Sequence, residues 1–134
     1  MHFSVLFDVP GPGLLIAGAL IGFLGLVILT IVITLIEAAV LFWLKWDSFK
    51  RALLAAFLMN VVSTILGLFI AAPMLSFGFV GLLAAFVVSI VVEGIVLVLM
   101  KRGAARQNWI AVVVVNLASY LLVILPIYFL SYYN

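Results

Sequence analysis

A chain of 134 residues that is 70% hydrophobic and only 7% charged lacks the charged surface that a soluble domain of this length needs. The composition therefore points to an integral membrane protein whose exterior faces lipid. With no cysteine, disulfides, thiolate metal sites and a cysteine nucleophile are excluded; with His2 as the single histidine, so are a bis-histidine haem site and a histidine-rich metal site within one chain.

The first ten residues hold no Lys or Arg and include Asp8, unlike the basic start of a cleaved signal. After the breaker cluster Pro10-Gly11-Pro12-Gly13, an apolar run from Leu14 to Leu44 exceeds the roughly 20 residues that cross a bilayer. It is expected to tilt, project beyond the lipid or bend near Gly18, Gly22 and Gly25. A polar stretch, Lys45 to Arg51, leads to a second run, Ala52 to Ala72, which stops at Pro73. The third run, Phe77 to Met100, ends at a second polar stretch, Lys101 to Asn108. The fourth, Trp109 to Leu130, contains Pro126, a candidate kink, and leads into an interfacial Ser131-Tyr132-Tyr133-Asn134 tail. Runs this long without alternation exclude a membrane barrel, whose strands need only about 10 alternating residues.

All six basic residues lie in the two polar loops: Lys45, Lys50 and Arg51 in one, Lys101, Arg102 and Arg106 in the other. The positive-inside rule places both loops in the cytoplasm and both termini outside; the brevity of the loops suits a prokaryotic plasma membrane. Lys50, Arg51 and Arg102 are topology determinants or contacts for anionic lipid headgroups. Trp43, Trp46 and Trp109 flank these loops and read as interfacial anchors. The glycines at 18, 22 and 25 allow close helix contact, within the chain or between copies.

Shifted by 56 residues, the chain matches itself without a gap. Gly22-Phe23 falls on Gly78-Phe79, Glu37 on Glu93, Lys45 on Lys101, Asn60 on Asn116 and Ser63 on Ser119. Between Gly22 and Leu66 there are 13 identities in 45 positions; the coincidences of Glu, Lys and Asn, rare residues here, mark a duplication rather than chance. Each repeat (about 14–72 and 77–130) holds two spans, so both copies enter the membrane in the same sense. The expected fold is all-α: a single-domain four-helix bundle of two tandem parallel hairpins with pseudo-two-fold symmetry about the membrane normal.

Two of the four acidic residues, Glu37 and Glu93, lie inside apolar runs, where an ionisable group is costly unless neutral, paired or hydrated, by about 2.5–3.5 kcal/mol on insertion scales. Each stands eight residues before a loop lysine, about 12 Å below the loop at helical rise. Asn60 and Asn116 lie at matching distances beyond the loops, with Ser63 and Ser119 one turn further on the same face; Thr34 and Ser89 fall within a turn of the acids. Two polar layers are expected, Glu37–Asn60 and Glu93–Asn116, in which a carboxamide satisfies either protonation state of the acid. One reading is a hydrogen-bonded layer that fixes helix register. The others are a site for a proton, a cation or a polar headgroup such as a quinone, and contact with a partner subunit.

The residues Ile36-Glu37-Ala38-Ala39-Val40-Leu41, Lys50-Arg51-Ala52-Leu53-Leu54 and Asn60-Val61-Val62-Ser63-Thr64-Ile65-Leu66-Gly67 resemble a diffuse set of small bacterial and archaeal membrane proteins that share a Glu near the end of one span and Asn-x-x-Ser in the next. The same Glu-to-Asn hairpin is similar to that of the FraC-type filament-integrity proteins of cyanobacteria. The first hairpin carries most of the resemblance; the second departs from it with Gly94 for Ala38 and Val123 for Gly67. The resemblance implies a four-span fold and weight on Glu37, Asn60, Glu93 and Asn116, and it implies no substrate.

No catalytic set, metal-ligand spacing, phosphate loop or nucleic-acid surface is visible, and no cofactor is expected. The leading expectation is a non-enzymatic structural or accessory subunit that packs with other membrane subunits, or a homo-oligomer, in contact with membrane lipid. The competing one is a small proton- or cation-coupled transporter using Glu37 and Glu93. No small-molecule ligand is named by the residues.

Overall fold

The computed structural model describes residues 12–70, 73 and 76–133. The expectations for the N-terminal stretch before Pro12, for Asn134 and, Pro73 apart, for the turn at 71–75 lie outside the described residues. Among the described residues there is no strand, and four helices are long and apolar enough to cross a membrane: Ile16–Trp43, Phe49–Phe69, Phe79–Met100 and Ala105–Ser131. The chain is a multi-pass membrane protein by this measure.

The chain divides into two compact units, Met1–Ile31 and Val32–Asn134. Helix α1, Pro12–Trp43, runs from the first into the second. Within the first unit it passes through Gly18, Gly22 and Gly25 as continuous helix. In lipid an interrupted backbone leaves polar groups without partners, which outweighs the weak helix propensity of glycine. Thr30 follows the same logic, its Oγ1 donating to the Leu26 carbonyl at 2.8 Å.

The second unit holds the rest of α1, then α2 (Phe49–Phe69), α3 (Phe79–Met100), α4 (Ala105–Ser119), a π-helical turn (Tyr120–Ile124) and α5 (Leu125–Tyr133). Helix α2 packs along α3, and α3 along α4. The end of α1 is a Schellman motif: the Trp46 N–H donates to the Leu41 carbonyl at 3.0 Å and the Lys45 N–H to the Phe42 carbonyl at 2.9 Å. Lys45 takes the left-handed position, φ 54°, where glycine is the usual residue. This turn folds the residue after Lys45 back onto the helix. Trp46 is consequently buried, 1% exposed, beside fully buried Leu41. That corrects the reading of Trp46 as an interfacial anchor. Trp43, by contrast, is 77% exposed. Helix α2 begins where Ser48 accepts the Arg51 N–H at 3.4 Å, with Asp47 beside the positive helix end and paired to Arg51 at 2.9 Å.

In the last span Pro126 does not break the helix. A proline removes the N–H that would bond the carbonyl four residues back and crowds it. The chain answers with a wider turn in which the Leu125 N–H donates to the Tyr120 carbonyl, five residues back. The run Val112-Val113-Val114-Val115, a poor helix former in water, is helical here because lipid offers its backbone no other partner.

The close-packed core lies on the loop side of the two glutamates. Leu41, Ala52, Ala55, Ala56, Met59, Leu97, Val112 and Val115 are fully buried. Beyond the glutamates, away from the loops, α2 and the last span have, Ser119 apart, only half-buried or exposed side chains among the described residues.

Candidate functional site

The structure brings the expected polar residues together and links them more closely than two separate layers. Asn60 Nδ2 donates to Glu37 Oε2 at 2.6 Å, and Asn116 Nδ2 donates to Glu93 Oε2 at 2.6 Å. The second amide hydrogen of each Asn goes to its own helix, to the Ala56 carbonyl at 2.9 Å and the Val112 carbonyl at 3.1 Å. These carbonyls accept only, so the amide orientation is set by the network. The serines cross over. Ser119, from the second hairpin, donates to Glu37 Oε1 of the first at 3.0 Å, and Ser63, from the first, takes the equivalent place beside Glu93. All four of Glu37, Glu93, Asn60 and Asn116 are buried, 1–6% exposed.

These groups line one chamber of about 160 Å³. Its wall is built largely of positions 56 apart: Glu37 and Glu93, Asn60 and Asn116, Ser63 and Ser119. Ile33 and Ser89, and Thr64 and Tyr120, complete the pairs, and Ile124 lines the chamber from the π turn. The Ser89 hydroxyl pairs with the Tyr120 phenol, whose ring stacks edge-on against Phe86 at 4.7 Å. Tyr120 also lines an apolar pocket of about 120 Å³ with Phe86, Leu82 and Leu125, so it forms the wall between a polar and an apolar space.

What the chamber offers a ligand follows from hydrogen-bond capacity. Both hydrogens of each carboxamide are committed, which leaves each Asn an acceptor oxygen. No donor among the described residues is assigned to either oxygen. The carboxyl oxygens add further acceptors, and no Lys, Arg or His lines the space. The hydroxyls of Thr64, Ser89 and Tyr120 also line the space and can donate or accept; together with the free oxygens they suit a proton, a metal cation or an ammonium-like group. Lacking a basic side chain, the chamber does not suit an anion.

Of the residues near the acids in sequence, Ser89 joins the chamber and Thr34 does not. Thr34 faces a groove with Lys50, Leu53, Leu54 and Phe57, and its buried Oγ1 has no partner. Thr64, Tyr120 and the crossing of the serines were not singled out from the sequence. Their signal was the 56-residue spacing, which relates Thr64 to Tyr120 as it relates the two glutamates.

The basic residues form a second cluster where the two loops meet. The Lys101 ammonium donates to the Trp46 carbonyl and lies 5.5 Å from the centre of the Trp46 ring. Trp46 Nε1 donates to Asn108 Oδ1 at 2.7 Å, and Asn108 Nδ2 to the Lys101 carbonyl at 2.8 Å. Arg51 reaches the Met100 carbonyl at 3.1 Å. Arg106 lines a crevice of about 270 Å³ with Gln107, Leu44 and Ile110, while Lys50 and Arg102 are exposed. Trp109, expected as an anchor, lies against Gly94 in α3 and is 39% exposed.

No protein-family model, curated protein or solved structure matches the chain.

Proposed function

We propose that this membrane protein is a small transporter, non-enzymatic, whose chamber binds a proton or a cation between Glu37 and Glu93. The observation that carries the proposal is the chamber itself. A polar layer serving only helix register closes on its own hydrogen bonds. Here, with the Asn N–H groups and the Ser119 hydroxyl already engaged, about 160 Å³ remains lined by the free Asn and carboxyl oxygens. The π turn at its wall, Tyr120–Ile124, is of a kind frequent at functional sites.

The architecture that goes with this reading is a tandem duplication of one hairpin with a pseudo-two-fold axis through the chamber. Its support is the pairing of lining positions 56 apart, the two Asn–Glu bonds of equal length, and the burial of further identical pairs, Leu41 with Leu97 and Ala55 with Ala111. The basic loops would face the cytoplasm of a prokaryotic plasma membrane, on the positive-inside rule.

The experiment is flux of protons or monovalent and divalent cations in proteoliposomes. The wild type is expected to carry one of them. Glu37→Gln with Glu93→Gln is expected to abolish that flux while leaving the helical content and the melting temperature in place. A folded wild type that moves none of them sinks the proposal.

A second reading, an accessory subunit of a larger membrane complex or a homo-oligomer, draws on the Ser119–Glu37 bond, which locks the hairpins together as a scaffold requires. Under it the particle extracted in mild detergent contains stoichiometric partners, and the double Gln variant behaves as the wild type does.

A further inference from the structure

Resting on the reading of the chamber as a cation centre, we propose that its cargo is one hard divalent cation, exchanged for two protons.

The first argument is charge. The chamber holds two carboxyls and no basic side chain, and all six basic residues belong to the loops. An uncompensated charge at this depth is costly, so the occupied states are those of zero net charge. Four exist: two protons, one divalent cation, one proton with one monovalent cation, or two monovalent cations. The third leaves one carboxylate to hold its cation alone, and the fourth crowds two like charges into about 160 Å³. Here each accepts one carboxamide N–H at 2.6 Å and each has one serine from the opposite hairpin beside it. Two carboxyls with matching partners act together, which favours both protonated or both on one dication.

The second argument is the donor set. Asn60 and Asn116 are 6% and 1% exposed, line the chamber and have only their Oδ1 atoms left to offer. With the two carboxylates and the hydroxyls of Ser63 and Ser119 they supply six positions of oxygen and none of nitrogen or sulfur, a set that selects Mg²⁺, Mn²⁺ or Ca²⁺ over softer metals. The volume leaves room for the waters that Mg²⁺ retains in protein sites.

The exchange balances without redox chemistry. Two O–H bonds break, the two protons leave to water, and the four carboxylate oxygens become available to the metal. A charge of +2 enters as +2 departs, so the step is electroneutral and insensitive to membrane potential.

The test uses the full chain in phosphatidylcholine–phosphatidylglycerol liposomes containing a pH-sensitive dye, with potential clamped by potassium and valinomycin. External Mn²⁺ or Mg²⁺ is expected to drive two protons out per ion, equally at clamped potentials of either sign, and at least tenfold less in the Glu37→Gln/Glu93→Gln variant. A second readout does not depend on transport. Millimolar Mn²⁺ is expected to raise the melting temperature of the wild type in detergent and to leave that of the double variant unchanged. Proton movement driven by Na⁺ or K⁺ but not by divalent ions overturns this inference and leaves the cation reading standing. No cation-driven proton movement together with no Mn²⁺-induced shift overturns both.

Discussion

Gly94 and Trp109 give the sharpest test of how α3 and α4 are packed. A Cβ placed on Gly94 would stand 2.3, 2.7 and 2.8 Å from Cζ3, Cη2 and Cε3 of the Trp109 ring. Non-bonded carbons need about 3.5 Å, so the overlap is about 1.2 Å at the closest atom. It falls on the body of a rigid ring, which must swing outward or push the helices apart. Overpacking of this kind costs about 1–3 kcal/mol, while replacing a mid-helix glycine by alanine returns up to about 1 kcal/mol of helix propensity. Gly94→Ala is therefore expected to destabilise the protein by about 1–2 kcal/mol, the propensity gain offsetting part of the overlap. The first hairpin carries Ala38 and Leu53 at the positions 56 earlier, so Gly94→Ala with Trp109→Leu rebuilds a pairing the chain already uses. The two changes are expected to couple by about 1–2 kcal/mol, the double variant being more stable than the sum of the singles. Equilibrium unfolding of the four proteins in mixed micelles, titrated with a denaturing detergent, measures the cycle. A neutral Gly94→Ala with strictly additive changes would show that the ring does not lie on α3 as described.

Three further outcomes are expected. Glu37→Leu leaves an Asn60 N–H and the Ser119 hydroxyl without their acceptor and costs about 1–2 kcal/mol, whereas Glu37→Gln keeps an acceptor oxygen and stays within about 0.5 kcal/mol; equal melting temperatures for the Leu variant and the wild type would contradict the polar network. Trp46→Phe preserves most of the buried apolar volume and removes the donor to Asn108, for a loss of about 1–3 kcal/mol; combining it with Asn108→Leu, which removes the stranded acceptor, should cost less than the sum. Because the chain has no cysteine, single-cysteine variants report access cleanly: a membrane-impermeant thiol reagent is expected to modify Thr64→Cys from the face opposite the loops and to leave Met59→Cys, in the packed core, unmodified from either face. Labelling of Met59→Cys from the loop face would show that the seal is not where the buried residues place it.

Run length and the absence of charge were enough to find the four spans. In hydrocarbon the backbone has no partner but itself, so an apolar run of sufficient length is a helix whatever its local propensity, glycines and valines included. The pairing of Glu37 with Asn60 and of Glu93 with Asn116 was legible for a related reason. Antiparallel helices joined by short loops place residues equidistant from the loop at equal depth, and helical rise converts sequence distance into depth without reference to packing.

Other features depend on rotation about helix axes and on contacts between hairpins, which sequence distance does not encode. Ser119 reaches Glu37 rather than the acid of its own hairpin, and Thr34, three residues from Glu37, turns away from the chamber into a groove. Trp46 looked like an interfacial anchor by its place in a basic loop. A left-handed Lys45 reversed the chain and buried it, an effect of one backbone dihedral that a hydropathy pattern does not register. The chamber is the clearest case: each polar residue satisfies a neighbour that the depth argument identifies, but the volume left between the hairpins exists only once all the helices are packed around it.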